Sequence, residues 1–140
     1  MSVTANISNT SSASSMQDSK LLRILIVDND EEVLVAMERA LEDEGYLTAT
    51  AVNYEEASRL LSQESFHILV LDDFLSDKDS LEVLVDWRST RTVPPLVVVT
   101  YHQNPSKTDR ARFSLLGAGG FVNKRAPLEL VETVRRLTSC

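Results

Sequence analysis

Five short apolar segments alternate with five segments of helical periodicity in this 140-residue chain, and this alternation limits the fold more than any other feature. The apolar segments read RILIV, YLTATAV, HILVLDD, PPLVVVTYH and GFVNK. Each is followed by a stretch whose apolar residues recur every third or fourth position, as on one face of a helix. Strands that alternate with helices predict a parallel sheet with helices on both faces, and near-continuous apolar strands are typical of such covered sheets.

The predicted fold is therefore α/β, a doubly wound three-layer sandwich around a five-stranded parallel sheet. The usual strand order for five strands is 2-1-3-4-5, with right-handed crossovers. Asn53 followed by Glu56 predicts a capping box at the start of the second helix. In the third helix, SLEVLVDWRS, the residues expected to face inward are Leu81, Leu84, Val85 and Trp87.

The first 20 residues differ from the rest, because they are rich in Ser, Thr and Asn and nearly free of large apolar side chains. We expect residues 1–20 to be a disordered tail and residues 21–140 to form one domain. The tail lacks the basic start and apolar core of a secretory signal. The single cysteine, Cys140, cannot form an internal disulfide, which favours a reducing compartment and predicts a cytoplasmic protein.

The net charge of −7 argues against direct nucleic-acid binding, which needs clustered Lys and Arg. No apolar run reaches the roughly 20 residues that a membrane span requires. The charge favours a cation or a basic partner instead.

Polar residues follow four of the five predicted strands, where ligands of open α/β sheets bind. They are Asp28-Asn29-Asp30 after the first strand, Asp72-Asp73 after the third, Thr100 after the fourth and Asn123-Lys124 after the fifth. The acids lie on the two strands that flank the point where the winding reverses. We therefore expect these side chains to converge, although an aspartate after a strand more commonly caps a helix or stays solvated.

Two carboxylates about 4 Å apart repel by roughly 1 kcal/mol at a water-like dielectric and about 4 kcal/mol at an effective dielectric near 20. A cation relieves that repulsion, and oxygen ligands without His or Cys suit Mg²⁺. A site that combines Mg²⁺ with a carboxylate, a lysine and a hydroxyl can carry out phosphoryl transfer, with an aspartate oxygen as the nucleophile.

These residues resemble the receiver domain of two-component response regulators, which has a flavodoxin-like fold. The similarity covers roughly residues 21–137. It lies in the motifs ILIVDND, LVLDDFLSDKDSLEVL, LVVVT and GAGGFVNK. Each motif is weak alone, and together they are specific.

The resemblance implies a role for each strand-end residue. Asp72 takes the place of the phosphorylated aspartate, and Mg²⁺ is the implied cofactor. The implied metal ligands are Asp28, Asn29, Asp72 and the backbone carbonyl of Phe74. Thr100 and Lys124 are expected to bind the phosphoryl group, and Thr100 and Phe121 to switch on activation. Asp73 is expected to point the other way along the pleat, and Asp77 and Asp79 to be solvated or capping.

Five positions depart from the family pattern. Asn29 stands where a second acid is usual, Ser76 replaces a Pro and Ser80 a Gly. Tyr101 follows Thr100 where a small residue is common, which predicts crowding of the phosphoryl site. Arg125 replaces the Pro after the lysine, so a trans peptide bond is expected there, because a cis bond before a non-proline residue costs ~3 kcal/mol.

The resulting prediction is a single-domain response regulator whose Asp72 accepts a phosphoryl group, rather than an enzyme with turnover. Its expected partners are a sensor histidine kinase or phosphotransfer protein and a downstream protein, with no nucleic acid and no membrane. The face of strands four and five is the expected docking surface, also for a homodimer. The alternative is a pseudo-receiver that binds proteins without phosphorylation. A haloacid-dehalogenase-like enzyme is disfavoured, because Glu31-Glu32 replace the Gly-Thr that follows D-x-D in that class.

Overall fold

A computed structural model describes residues 21–139 of the chain; the predicted tail, residues 1–20, and Cys140 lie outside the described residues. The strands are β1 Arg23–Val27, β2 Leu47–Ala51, β3 Ile68–Asp72, β4 Phe74–Leu75, β5 Lys78–Asp79, β6 Leu96–Tyr101 and β7 Ala118–Asn123. The helices are α1 Glu31–Asp43, α2 Tyr54–Gln63, α3 Ser80–Ser89, α4 Lys107–Leu115 and α5 Pro127–Thr138. In this part of the chain no helix is long and apolar enough to cross a membrane.

Five parallel strands form the sheet in the order β2-β1-β3-β6-β7. This is the predicted 2-1-3-4-5 order, because β6 and β7 are the fourth and fifth strands of the sheet. The register pairs Asp72 with Thr100 and Thr100 with Val122, which brings the strand ends to one edge. The short antiparallel pair β4-β5, directly after β3, was not predicted.

The sheet separates two apolar clusters. Helices α2, α3 and α4 cover one face and helices α1 and α5 the other, as a doubly wound fold requires. Trp87 is buried as predicted, but the inward prediction for Val85 is wrong, since Val85 is 52% exposed. Val83 is buried in its place, because it lies one turn before Trp87 on the same helical face.

Side-chain caps fix where three helices begin beside the strand ends. The Asp30 carboxylate accepts hydrogen bonds from the Glu32 and Val33 N–H groups and so caps α1. The Asn53 side chain accepts from the Glu56 N–H at 2.8 Å, as predicted. The Glu56 carboxylate accepts from the N–H of Val52 rather than from that of Asn53, so the capping box is shifted by one residue. Asp79 caps α3, as its predicted solvated or capping role allows.

Candidate functional site

Three polar side chains are almost completely buried where the central strands of the sheet end. Asp28 follows β1, Asp72 is the last residue of β3 and Thr100 lies near the end of β6, and they are 1%, 2% and 1% exposed. Buried charges need partners, because desolvation of an unpaired carboxylate is costly. The predicted convergence of Asp28, Asp72 and Thr100 on one edge is therefore present, and it requires a cation.

Lys124, directly after β7, supplies that positive charge. Its Nζ lies 2.9 Å from Asp72 Oδ2 and 3.3 Å from Asp28 Oδ2, and its side chain is 13% exposed. Its N–H donates to the carbonyl oxygen of Tyr101 at 2.9 Å, which ties the end of β7 to β6. Residues 21–139 contain no cis peptide bond, so the trans bond expected before Arg125 is confirmed.

Backbone N–H groups orient the two carboxylates. Asp28 Oδ1 accepts from the Asp30 N–H at 2.8 Å, and Asp72 Oδ1 accepts from the Phe74 N–H at 3.2 Å. Each aspartate thus holds one oxygen against the chain and turns the other, Oδ2, toward Lys124. The fully buried Ser80 hydroxyl donates to the Asp72 carbonyl oxygen at 2.6 Å, so the residue that replaces the usual Gly anchors the backbone of Asp72.

The two neighbouring carboxylates of Asp28 and Asp72 shift the pKa values of the groups around them. Burial raises the pKa of Asp28 to about 6, and the neighbouring Asp72 charge adds to the shift, although the Asp30 N–H and Lys124 oppose it. Burial alone would lower the pKa of Lys124, but its hydrogen bond to Asp72 and the two carboxylate charges outweigh burial and raise it. Lys124 is therefore a fixed cation, and when both aspartates are ionised their negative charge exceeds its positive charge.

Asp73, which was expected to point the other way along the pleat, lies half-buried directly after β3. Burial, the charge of Asp72 and a hydrogen bond to the Asp72 side chain raise the pKa of Asp73 to about 7. The charge of Lys124 acts on it as well, in the opposite direction. Asp73 also lines a cleft of about 360 Å³ with Asp109 and the loop after β6. The Asp73 N–H donates to the Thr100 carbonyl oxygen at 2.7 Å, so its backbone continues the hydrogen bonding between β3 and β6.

The other predicted residues surround this core. Asn29 is exposed and Asp30 caps α1, so neither joins the buried cluster. Phe74 is 69% exposed, and its N–H is the one that donates to Asp72 Oδ1. Phe121 is half-buried, and its ring packs edge-to-face with that of Phe113, with 6.3 Å between the ring centres.

Tyr101 and Phe121 share a contact that the sequence did not predict. The Arg110 guanidinium lies 4.7 Å from the ring centre of Phe121 and 5.9 Å from that of Tyr101. Asn104, in the loop before α4, also accepts hydrogen bonds from Arg110. The ring of Tyr101 is therefore held on the side of α4.

The donor set fits a hard divalent cation. Asp28 Oδ2 is buried and, within the described residues, receives no hydrogen bond, although Lys124 lies within ion-pair distance. A cation bound between Asp28 and Asp72 would satisfy this oxygen. Among residues 21–139 no three His, Cys, Asp or Glu side chains form a metal cluster. The two buried carboxylates suit Mg²⁺, which takes one or two carboxylates and keeps several waters.

Comparison with known proteins finds relatives over most of the described chain. The sequence model of the family described as "Response regulator receiver domain" matches residues 24–135. The chain is 38% identical over 80 residues to the alginate biosynthesis transcriptional regulatory protein AlgB of Pseudomonas aeruginosa, covering 57% of this chain and 18% of that protein. It is 32% identical over 115 residues to the transcriptional regulatory protein PrrA of Mycobacterium bovis, covering 82% and 48%. The chain thus spans less than half the length of these two relatives.

A solved structure agrees in fold as well. The CheY-like receiver domain protein of Methanospirillum hungatei superposes with a TM-score of 0.74 at 26% identity, covering 84% of this chain and 93% of that one.

Proposed function

The chain belongs to the receiver-domain family of two-component response regulators, and on that premise we propose that Asp72 is its phosphoacceptor. The observation that carries the proposal is the Lys124 ammonium held between Asp72 Oδ2 and Asp28 Oδ2, at 2.9 and 3.3 Å. An Asp72 oxygen, a cation and a second carboxylate therefore lie close together among buried residues, which supports a nucleophilic role for Asp72. Few purely structural roles need two nearly inaccessible carboxylates side by side.

In the proposed step, an Asp72 oxygen attacks the phosphorus of a phosphohistidine on a sensor kinase or phosphotransfer protein. The new O–P bond forms as the N–P bond breaks, and the electron pair returns to the imidazole nitrogen. Lys124 stabilises the charge on the transferred oxygens, and the Thr100 hydroxyl donates a hydrogen bond to one of them. The Phe74 N–H holds Asp72 Oδ1 and so leaves Oδ2 as the attacking atom.

Asp28, Asp72 and the backbone carbonyl of Phe74 would hold the Mg²⁺ ion, with Asn29 as a further oxygen donor. When bound, the ion supplies positive charge against the phosphoryl oxygens and relieves the repulsion between the carboxylates. Asn29 contributes no charge, so the site carries one negative charge fewer than the usual family site.

Phosphorylation adds charge next to Thr100, which pairs on β6 with Val122, the residue after Phe121 on β7. We propose that this shifts the equilibrium of the face formed by β6 and β7 with helices α4 and α5, through which a downstream protein or a second copy of the chain docks. That the chain is a single-domain regulator stays a prediction, because the matched relatives are longer. That it works in the cytoplasm stays a prediction as well.

Beryllofluoride with Mg²⁺ tests the proposal, since it mimics a phosphoryl group on an aspartate. We expect the unfolding temperature to rise further with beryllium, fluoride and Mg²⁺ together than with Mg²⁺ alone, and not to rise with beryllium and fluoride when Mg²⁺ is omitted. No response to the complete mixture would contradict a phosphorylatable site.

The second candidate function is a pseudo-receiver, a protein-binding module that does not cycle phosphate. It is favoured by Asn29, which is exposed and uncharged where the family usually has an acid. A folded protein that binds its partner equally with and without beryllofluoride would support this function instead.

Asp73→Asn is expected to raise the rate of phosphorylation by acetyl phosphate about threefold to tenfold. The donor is an anion, and the substitution removes one negative charge beside Asp72. Asp77→Asn is the matched control, because Asp77 is an exposed acid of the same loop. A slower Asp73→Asn protein would show that Asp73 helps the reaction rather than repelling the donor.

A further inference from the structure

The loop that follows Asp72 is held from outside the site by a cluster that we name the Lys78 clasp: Lys78, Tyr54 and Asp86. The Lys78 Nζ lies 2.7 Å from Asp86 Oδ2 and 4.2 Å from the ring centre of Tyr54. The Tyr54 hydroxyl donates to the same Asp86 oxygen at 3.2 Å. The clasp therefore joins the loop to the first residue of α2 and to the middle of α3.

The two helix partners are themselves fixed. The Tyr54 ring stacks on the buried Trp87 ring with 5.8 Å between centres and 6° between planes. The Trp87 Nε1 donates to the Ser58 hydroxyl at 2.8 Å, which ties α3 to α2. Asn53, the residue before Tyr54, caps α2. Lys78 is thus bound to a rigid platform.

On the loop side, Lys78 is connected to the site by the β4-β5 hairpin. Its backbone pairs with Leu75, and Asp79 pairs with Phe74. Phe74 carries the N–H that orients Asp72 Oδ1 and the carbonyl proposed as a metal ligand. The clasp therefore fixes the hairpin that presents Phe74, and the loop needs such a fixing because Ser76 lacks the restricted backbone of a proline.

We propose that Lys78 is a positioning residue for Mg²⁺ binding, acting through the hairpin on the Phe74 backbone. This inference rests on the proposed function, because it assumes that the ion binds at Asp28 and Asp72. When a loop is ordered only part of the time, the apparent dissociation constant of the ion equals the intrinsic constant divided by the ordered fraction. The clasp raises that fraction without touching the ion.

Lys78→Met tests the inference, because methionine keeps an unbranched apolar side chain and removes the charge. We expect the Mg²⁺ dissociation constant, measured by isothermal titration calorimetry, to rise about threefold to tenfold. Amide hydrogen exchange at residues 74–79 should become faster. Lys78→Arg keeps the cation over the ring and should restore both values to near those of the unmodified protein.

Arg135→Met is the matched control, since Arg135 forms an exposed ion pair with Glu44 far along the chain from the loop. It should leave the Mg²⁺ dissociation constant unchanged. The inference is overturned if Lys78→Met binds Mg²⁺ within twofold of the unmodified protein while Asp28→Asn loses binding. If the unmodified protein itself binds no Mg²⁺, the proposed metal site fails, and this inference fails with it.

Discussion

Replacement of Lys124 with methionine is expected to lower the rate of phosphorylation by acetyl phosphate roughly 10²- to 10³-fold, the usual effect of removing one charge-stabilising donor from a reacting centre. Lys124 is the cation that contacts both buried carboxylates, and its raised pKa keeps it charged at any physiological pH. The methionine retains much of the side-chain volume, so the loss isolates the charge.

Binding of Mg²⁺ should not weaken in the same protein, because an ammonium beside the carboxylates repels the ion. The two readouts therefore separate phosphoryl stabilisation from metal binding. Arg125→Met is the control, since the exposed Arg125 side chain is the next residue in the chain. A Lys124→Met protein that is phosphorylated at the unmodified rate would remove Lys124 from the proposed mechanism.

Asp28→Asn is expected to stabilise the metal-free protein at neutral pH and to abolish its stabilisation by Mg²⁺. The pKa of Asp28 is raised from 3.8 to about 6, first by burial and then by Asp72. The ionised form is therefore the unfavourable one in the fold. Removing its charge should increase the free energy of unfolding on the order of 2 kcal/mol above pH 6.

The sign follows from the proton balance. Between pH about 4 and about 6 the folded protein keeps a proton on Asp28 that the unfolded chain has released. The stabilising effect of that protonation is complete below pH 4 and is lost as the pH rises through 6. The free energy of unfolding of the metal-free protein should fall across this window, and the Asp28→Asn protein should lack this part of the pH dependence.

Thermal unfolding with EDTA and with Mg²⁺ measures both effects. Asp30→Asn is a close control, because asparagine caps a helix about as well as aspartate and Asp30 lies outside the buried cluster. If Mg²⁺ still stabilises the Asp28→Asn protein as much as the unmodified one, the metal does not bind at Asp28.

The sheet and its strand order could be predicted because each strand is a near-continuous apolar run that must be covered on both faces. The convergence of Asp28, Asp72, Thr100 and Lys124 followed from the same topology, since parallel strands end at one edge. The buried face of α3 could not be predicted residue by residue: the prediction for Val85 was wrong because several neighbouring apolar residues compete for a face that only some can occupy.

Contacts that depend on turns and on long side chains could not be predicted in this way. The raised pKa of Asp73 depends on its burial and on the charges of Asp72 and Lys124, which residue spacing does not state. The Lys78 clasp joins residues 24 and 32 positions apart, through side chains whose reach and direction the sequence does not state. Near the clasp, the local sequence pattern predicted only the Asn53 cap. That cap determines where α2 begins and does not determine which side chains Tyr54 contacts.

The central claim is that Asp72, held among Asp28, Thr100 and Lys124, is the oxygen nucleophile of the chain. Mass spectrometry after incubation with acetyl phosphate and Mg²⁺ tests it most directly, using the unmodified protein, Asp72→Asn and the neighbouring Asp73→Asn. The account predicts one added phosphoryl group on the unmodified and Asp73→Asn proteins, located on the peptide that contains residue 72, and none on Asp72→Asn. A phosphoryl group that persists in Asp72→Asn, or that disappears only in Asp73→Asn, would contradict it.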